Sequence, residues 1–129
     1  MTPSPAEVRE GRQRLMLLVA GPLAWAAHFA VTYATVAVWC AKIAGREGPL
    51  GHARTAVAAY TAVALVVIAA VARDAWARYR LGGDHTPLDA DTAAGRHRFL
   101  GLATFLLAGL SAVATLYAAL VVALIRSCQ

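Results

Sequence analysis

Three long runs free of Lys, Arg, Asp and Glu organise this chain: Leu15 to Cys40, Thr55 to Ala72 and Phe99 to Ile125. About 20 predominantly apolar residues carry a helix across the hydrocarbon core of a bilayer. The first and third runs exceed that length and can tilt. The middle one continues in helical pattern through Trp76 to Tyr79, whose rings suit the headgroup level. With 60% hydrophobic and 15% charged residues, there is too little polar surface to coat a soluble globule. The expected fold is all-α, an integral-membrane three-helix bundle. It forms a single domain over residues 1–129 with spans near 15–40, 55–79 and 99–125 and no internal repeat.

Orientation follows from the basic residues. Arg9, Arg12, Arg14, Arg73, Arg78, Arg80, Arg96 and Arg98 lie on one side of the spans, against Lys42, Arg46, Arg54 and Arg126 on the other. Loops rich in Lys and Arg stay cytoplasmic, so the amino terminus is expected inside and the carboxyl terminus outside. The net charge of +5 is then a topology signal, with attraction to anionic lipid secondary. Basic residues placed beside spans, without a nucleic-acid-binding fold, speak against a nucleic-acid partner. A charged leader followed by Leu15 to Ala27 superficially fits a cleavable signal peptide. The apolar run continues well past the usual length, which favours an uncleaved anchor.

Ser4, Pro5 and Glu7 form a helix-start pattern, predicting a short cytoplasmic helix over residues 5–14. Pro22 removes a backbone donor inside the first span and is expected to bend it near Gly21. Gly45, Gly48, Pro49 and Gly51 mark the outer turn, and Asp89, Asp91 and Thr92 are candidate caps for the third helix.

The one ionisable side chain deep inside a span is His28. Ionisable groups within the membrane are costly and invite a functional explanation. At 100° per residue, Gly21, Trp25, His28, Thr32, Thr35 and Trp39 share an arc of about 80° on helix one. Gly101, Thr104, Ala108, Ser111 and Thr115 share a similar arc of about 80° on helix three, a seam of small and hydroxyl residues that permits close approach. Counted from the cytoplasmic ends, His28 and Ser111 reach similar depths. Ser111 is therefore the first candidate partner of His28, with Thr32 as the local alternative.

Several readings of His28 stay open. It can be a neutral imidazole hydrogen-bonded to Ser111, Thr32 or a carbonyl freed by Pro22. It can ligate a haem shared with a second protein or a second copy, since His52 and His97 lie near opposite surfaces and cannot supply the second ligand. It can also serve a proton relay or a lipid-quinone contact, with Trp25 as an aromatic wall. Ion-coupled transport usually requires an intramembrane carboxylate. Glu7, Glu10, Glu47, Asp74, Asp84, Asp89 and Asp91 all lie outside the spans, although a homo-oligomer would enlarge the room for a substrate.

Cys40 and Cys128 both fall at the outer ends of spans, where a disulfide can persist in an oxidising compartment and clamp helix one to helix three. Free thiols, or a copper or zinc site using Cys40, Cys128 and His52, are the alternatives. Asp84, His85, Asp89, Asp91 and His97 crowd the inner connection, but their spacing matches no calcium loop and suits capping and solvation. Ser4, Ser111 and Ser127 have no nearby His and acid to make a nucleophile, and no glycine-rich phosphate loop is present. The chain is expected not to be an enzyme.

The run Gly21-Pro22-Leu23-Ala24-Trp25-Ala26-Ala27-His28-Phe29, followed by Tyr33 and Cys40 and closed by Cys128, resembles small bacterial inner-membrane proteins often encoded beside haem-copper cytochrome oxidase genes. The resemblance covers mainly the first span and the last residues. It implies a multi-pass inner-membrane protein with an accessory, assembly or stabilising role around a respiratory oxidase, Trp25 and His28 lying on the contact face. A small haem-binding or redox protein and a homo-oligomeric transporter are the alternatives. No resident cofactor is implied beyond the haem of the former.

Overall fold

The structure, a computed structural model, describes residues 2, 4–45, 48–81, 92–125 and 127–128. Three helices account for nearly all of them: α1 (Pro5–Trp39), α2 (Gly51–Leu81) and α3 (Ala93–Leu124), with a π-helical turn at Cys40–Ala44 extending α1. Each is long and apolar enough to cross a membrane, so the chain is a multi-pass membrane protein with its lipid environment built into its composition.

The helix starts follow local chemistry. The Ser4 hydroxyl accepts from the Glu7 amide at 3.3 Å, and the Glu7 carboxylate accepts from the Ser4 amide at 2.7 Å, with Pro5 opening the helix as expected. Of the candidate caps of α3, Thr92 serves, accepting from the Gly95 amide at 3.2 Å. Asp89 and Asp91, with Asp84 and His85, lie outside the described residues.

The helices are longer than the apolar runs. The expected amino-terminal helix over residues 5–14 and the first span are one continuous helix of 35 residues, about 52 Å at 1.5 Å per residue. Nothing between Glu10 and Leu15 breaks helical geometry, and an Arg14–Glu10 pair one turn apart supports the junction. The helix also runs unbroken through Pro22. Proline there leaves the Leu18 carbonyl without its helical partner, but any bend it introduces does not interrupt the helix.

The packing is inverted relative to a soluble bundle. Most buried positions are small or hydroxylated: Gly21, His28 and Thr32 on α1; Ala53, Val57, Thr61, Ala64, Ile68 and Ala75 on α2; Gly95, Gly101, Thr104, Ala108, Ser111, Thr115 and Val122 on α3. Large apolar side chains such as Leu23, Val63, Leu106 and Leu110 face outward. Lipid is as apolar as leucine, so membrane helices associate through close contact of small residues. A Cβ on Gly101 would lie 3.0 Å from the Ala75 carbonyl oxygen, and one on Gly21 would lie 3.2 Å from Ala108 Cα. These two glycines set the α2–α3 and α1–α3 approaches.

Both ends of the bundle are tied. At one end Cys40 and Cys128 are joined by a disulfide whose Cα atoms are 5.5 Å apart, within the ordinary range. Pro49 and Ser127 form an antiparallel bridge beside it, Arg54 donates to the Ile125 carbonyl, and the Trp39 indole donates to the Pro49 carbonyl at 3.2 Å. At the other end Arg14 bonds His97, and Arg98 donates to the Tyr79 hydroxyl at 3.2 Å.

Candidate intramembrane histidine site

His28 is placed by the seam expected on α1, together with Gly21 and Thr32, and is 4% exposed. Its cross-helix partner is Thr61 of α2: Nε2 lies 3.0 Å from Thr61 Oγ1. The expected partner, Ser111, is elsewhere. Its hydroxyl donates to the Leu107 carbonyl one turn back at 2.7 Å, and it packs where a Cβ on Gly21 would meet its Oγ at 3.3 Å. Ser111 thus belongs to the α1–α3 contact, one seam away from the imidazole. Thr32 stands as the local neighbour, with Oγ1 3.4 Å from the same nitrogen.

The direction of the His28–Thr61 bond can be assigned. The Thr61 hydroxyl has a single hydrogen and is placed to donate it to the Val57 carbonyl at 2.7 Å. Its oxygen must therefore accept from His28, which puts the imidazole proton on Nε2 and leaves Nδ1 as a bare acceptor. Nδ1 is buried and has no partner among the described residues.

The other buried hydroxyls do not reach across helices. Thr104 donates to Leu100, Ser111 to Leu107 and Thr115 to Ser111, each to a carbonyl of its own helix at 2.7, 2.7 and 2.8 Å. These groups are satisfied locally and act as small packing residues. Among the described residues, His28–Thr61 is the side-chain bond that links α1 to α2 between the two tied ends.

Trp25 stands apart from the imidazole. One position of the helical wheel away from the buried arc, it is 36% exposed and heads an outward ladder in which the Trp25, Phe29 and Tyr33 rings follow at 6.2 and 6.4 Å. The aromatic wall beside His28 comes instead from Tyr60 of α2. With Ala24, Ala27 and Val31 of α1 and Val63, Ala64 and Val67 of α2, Tyr60 and His28 line an open apolar groove of about 340 Å³ between the two helices.

Thr61 was the residue that depth counting from the cytoplasmic ends missed. Counted from the Cys40 turn it was within reach, because His28 lies 12 residues before Cys40 and Thr61 lies 10 after Gly51. Its place in the period-3.6 face of Ala53, Val57, Ala64 and Ile68 marks it as inward.

The alternative sites are not assembled. Both cysteine sulfurs are consumed by the disulfide, so the metal site expected with His52 has no thiolates, and the His52 ring lies tilted against Trp39 with centroids 5.9 Å apart. Among the described residues no group of three His, Cys, Asp or Glu could hold a metal ion. A haem on His28 through Nε2 would have to displace Thr61. The chain matches no protein-family model, and no curated protein or solved structure is similar enough to establish a relationship.

Proposed function

We propose that the protein acts without catalysis as an accessory or stabilising component of a larger membrane complex, seating a partner's transmembrane helix in the α1–α2 groove. The observation that carries this reading is the groove itself. It lies beside the buried His28–Thr61 bond and is walled by Ala24, Ala27 and Ala64, residues small enough for a helix backbone to approach closely. The sequence resemblance around Trp25 and His28 makes a respiratory oxidase, in a bacterial inner membrane, the complex to test first.

The experiment is affinity purification from native membranes in mild detergent, comparing the wild type with Ala27→Leu. Ala27 is exposed on the groove wall, so added bulk fills the seat without entering the bundle interior. Stoichiometric recovery of oxidase subunits or assembly factors with the wild type, and their loss with Ala27→Leu, is the expected result. Recovery of the protein alone, or only as a homo-oligomer, would overturn it.

A further inference from the structure

A second cavity, of about 250 Å³, lies at the Arg14–His97 end of the bundle, where all three helices contribute to it. Its floor is apolar, including Leu17, Leu100 and Gly101, and its rim carries Arg14 from α1, Arg78 from α2 and His97 from α3. Many water-sized spheres fit within it, room for a phosphate and the glycerol next to it. The floor faces the span and the rim faces the headgroup level, which is the polarity of a phospholipid.

The rim gathers three bases where the helices meet, Arg14, Arg78 and His97, with Glu10 and Asp74 as the acidic partners of the two arginines. The Arg14 side chain is only 20% exposed, yet its near neighbours include a second base: it bonds His97 as well as Glu10. His97 lies two residues before the apolar run of α3. Burial holds its pKa below the ordinary histidine value, and Arg14, Arg96 and Arg78 push it further down against the opposing pull of Glu10. Asp74 also lines the cavity, but it is bonded to Arg78 at 2.8 Å with both partners near half exposed, a pair of small net worth. The pair uses Arg78 Nε, so an anion would meet the terminal nitrogens of Arg78 together with Arg14, on the side away from that carboxylate.

We propose that this cavity binds the phosphate of an anionic phospholipid, held by Arg14 and Arg78 with its glycerol and acyl portion over Leu17 and Leu100. Basic pockets between membrane helices at the headgroup level bind anionic lipid heads in this manner. The site is separate from the His28 groove and does not depend on what occupies it.

The test is native mass spectrometry of the delipidated full chain, titrated with phosphatidylglycerol, phosphatidylcholine or inorganic phosphate. One phosphatidylglycerol per chain should be retained in preference to phosphatidylcholine. Arg14→Gln and Arg78→Gln should each weaken retention by about fivefold, the scale of one basic residue near an anionic surface. Arg14→Lys should keep most of the binding, and Arg9→Gln, outside the cavity, should match the wild type. Circular dichroism and size-exclusion profiles establish that each variant is folded; if Arg14→Gln fails them, Arg78→Gln and Arg14→Lys carry the test. Equal retention of the two lipids, or wild-type retention in Arg78→Gln, would overturn the proposal. So would binding of inorganic phosphate in competition with the lipid, which would identify a free-phosphate site.

Discussion

The assignment of Thr61 as the partner of His28 can be tested by a double-mutant cycle between Thr61→Val and His28→Ala. Valine keeps the size of threonine but removes the oxygen that accepts from Nε2 at 3.0 Å. The Val57 carbonyl, which loses the Thr61 hydroxyl, still has its helical amide partner. The imidazole N–H is left with Thr32 Oγ1 at 3.4 Å, a poor substitute. A buried donor without an acceptor costs about 1–3 kcal/mol. Interhelical side-chain bonds in membranes measure lower, about 0.6 kcal/mol on average and about 1.7 at most, because inserted but unassembled helices find other partners.

Thr61→Val alone mixes this loss with a gain in apolar character, so the coupling energy is the cleaner quantity. We expect it to fall between about 0.6 and 1.7 kcal/mol. The same cycle with Ser111→Ala should give a coupling within about 0.3 kcal/mol of zero, the scatter of independent sites, since Ser111 donates to its own helix. Unfolding by denaturing detergent in mixed micelles, followed by far-ultraviolet circular dichroism, provides the free energies. A His28–Ser111 coupling equal to or larger than the His28–Thr61 coupling would refute the assignment.

Four further outcomes follow from the packing and the ends. Gly21→Val places a side chain where even a Cβ is 3.2 Å from Ala108 Cα and should destabilise by about 1–3 kcal/mol in the same assay. Gly109→Ala, with nothing within 4 Å, should be neutral or stabilising by up to about 1 kcal/mol. Cys40→Ser removes a cross-link between positions 88 apart. It should lower stability by up to about 2–4 kcal/mol, a loss that reductant reproduces in the wild type and that is absent from the variant. The Glu7 carboxyl is held below its ordinary pKa, first by the Ser4 amide and then by the Ser4 hydroxyl. Its support for the α1 start is therefore complete above the ordinary carboxylate range and lost as pH falls through the lowered value. The protection of the Val8 amide, taken relative to its intrinsic exchange rate at each pH, should fall there, and unchanged protection in acid would refute the capping role.

The arcs on α1 and α3 were legible because burial in a membrane bundle selects for small and hydroxyl side chains, and these stand out against leucine and valine. All five residues of the α3 seam are buried, as are Gly21, His28 and Thr32 of α1. The Ser4 cap and the Cys40–Cys128 link were legible for similarly local reasons, a short capping pattern and two cysteines at matching ends. The partner of His28 was not, because a period of 3.6 fixes which face points inward but not which neighbouring helix it meets. Trp25 misled for a related reason: an arc of about 80° has edges, and a bulky ring at an edge turns toward lipid. The two cavities had no signature at all, since each depends on how far apart separately readable helices settle, α1 and α2 for the groove and all three for the other.

The distribution of contacts explains why a histidine is useful where it stands. Three residues of α1 are buried, against six on α2 and seven on α3, so α1 is the least embedded helix. It is fixed at one end by the disulfide, at the other by Arg14 and His97, and against α3 by Gly21. Toward α2 the walls are alanine and valine, which slide over one another with little energetic preference, and there the groove opens. A directional bond from His28 to Thr61 fixes the rotation and depth of α1 at that point in a way apolar contacts cannot. Polar groups buried among apolar ones can serve register more than strength. On this argument, losing the bond would leave α1 inserted but free to turn, and the shape of the groove would be lost before the fold.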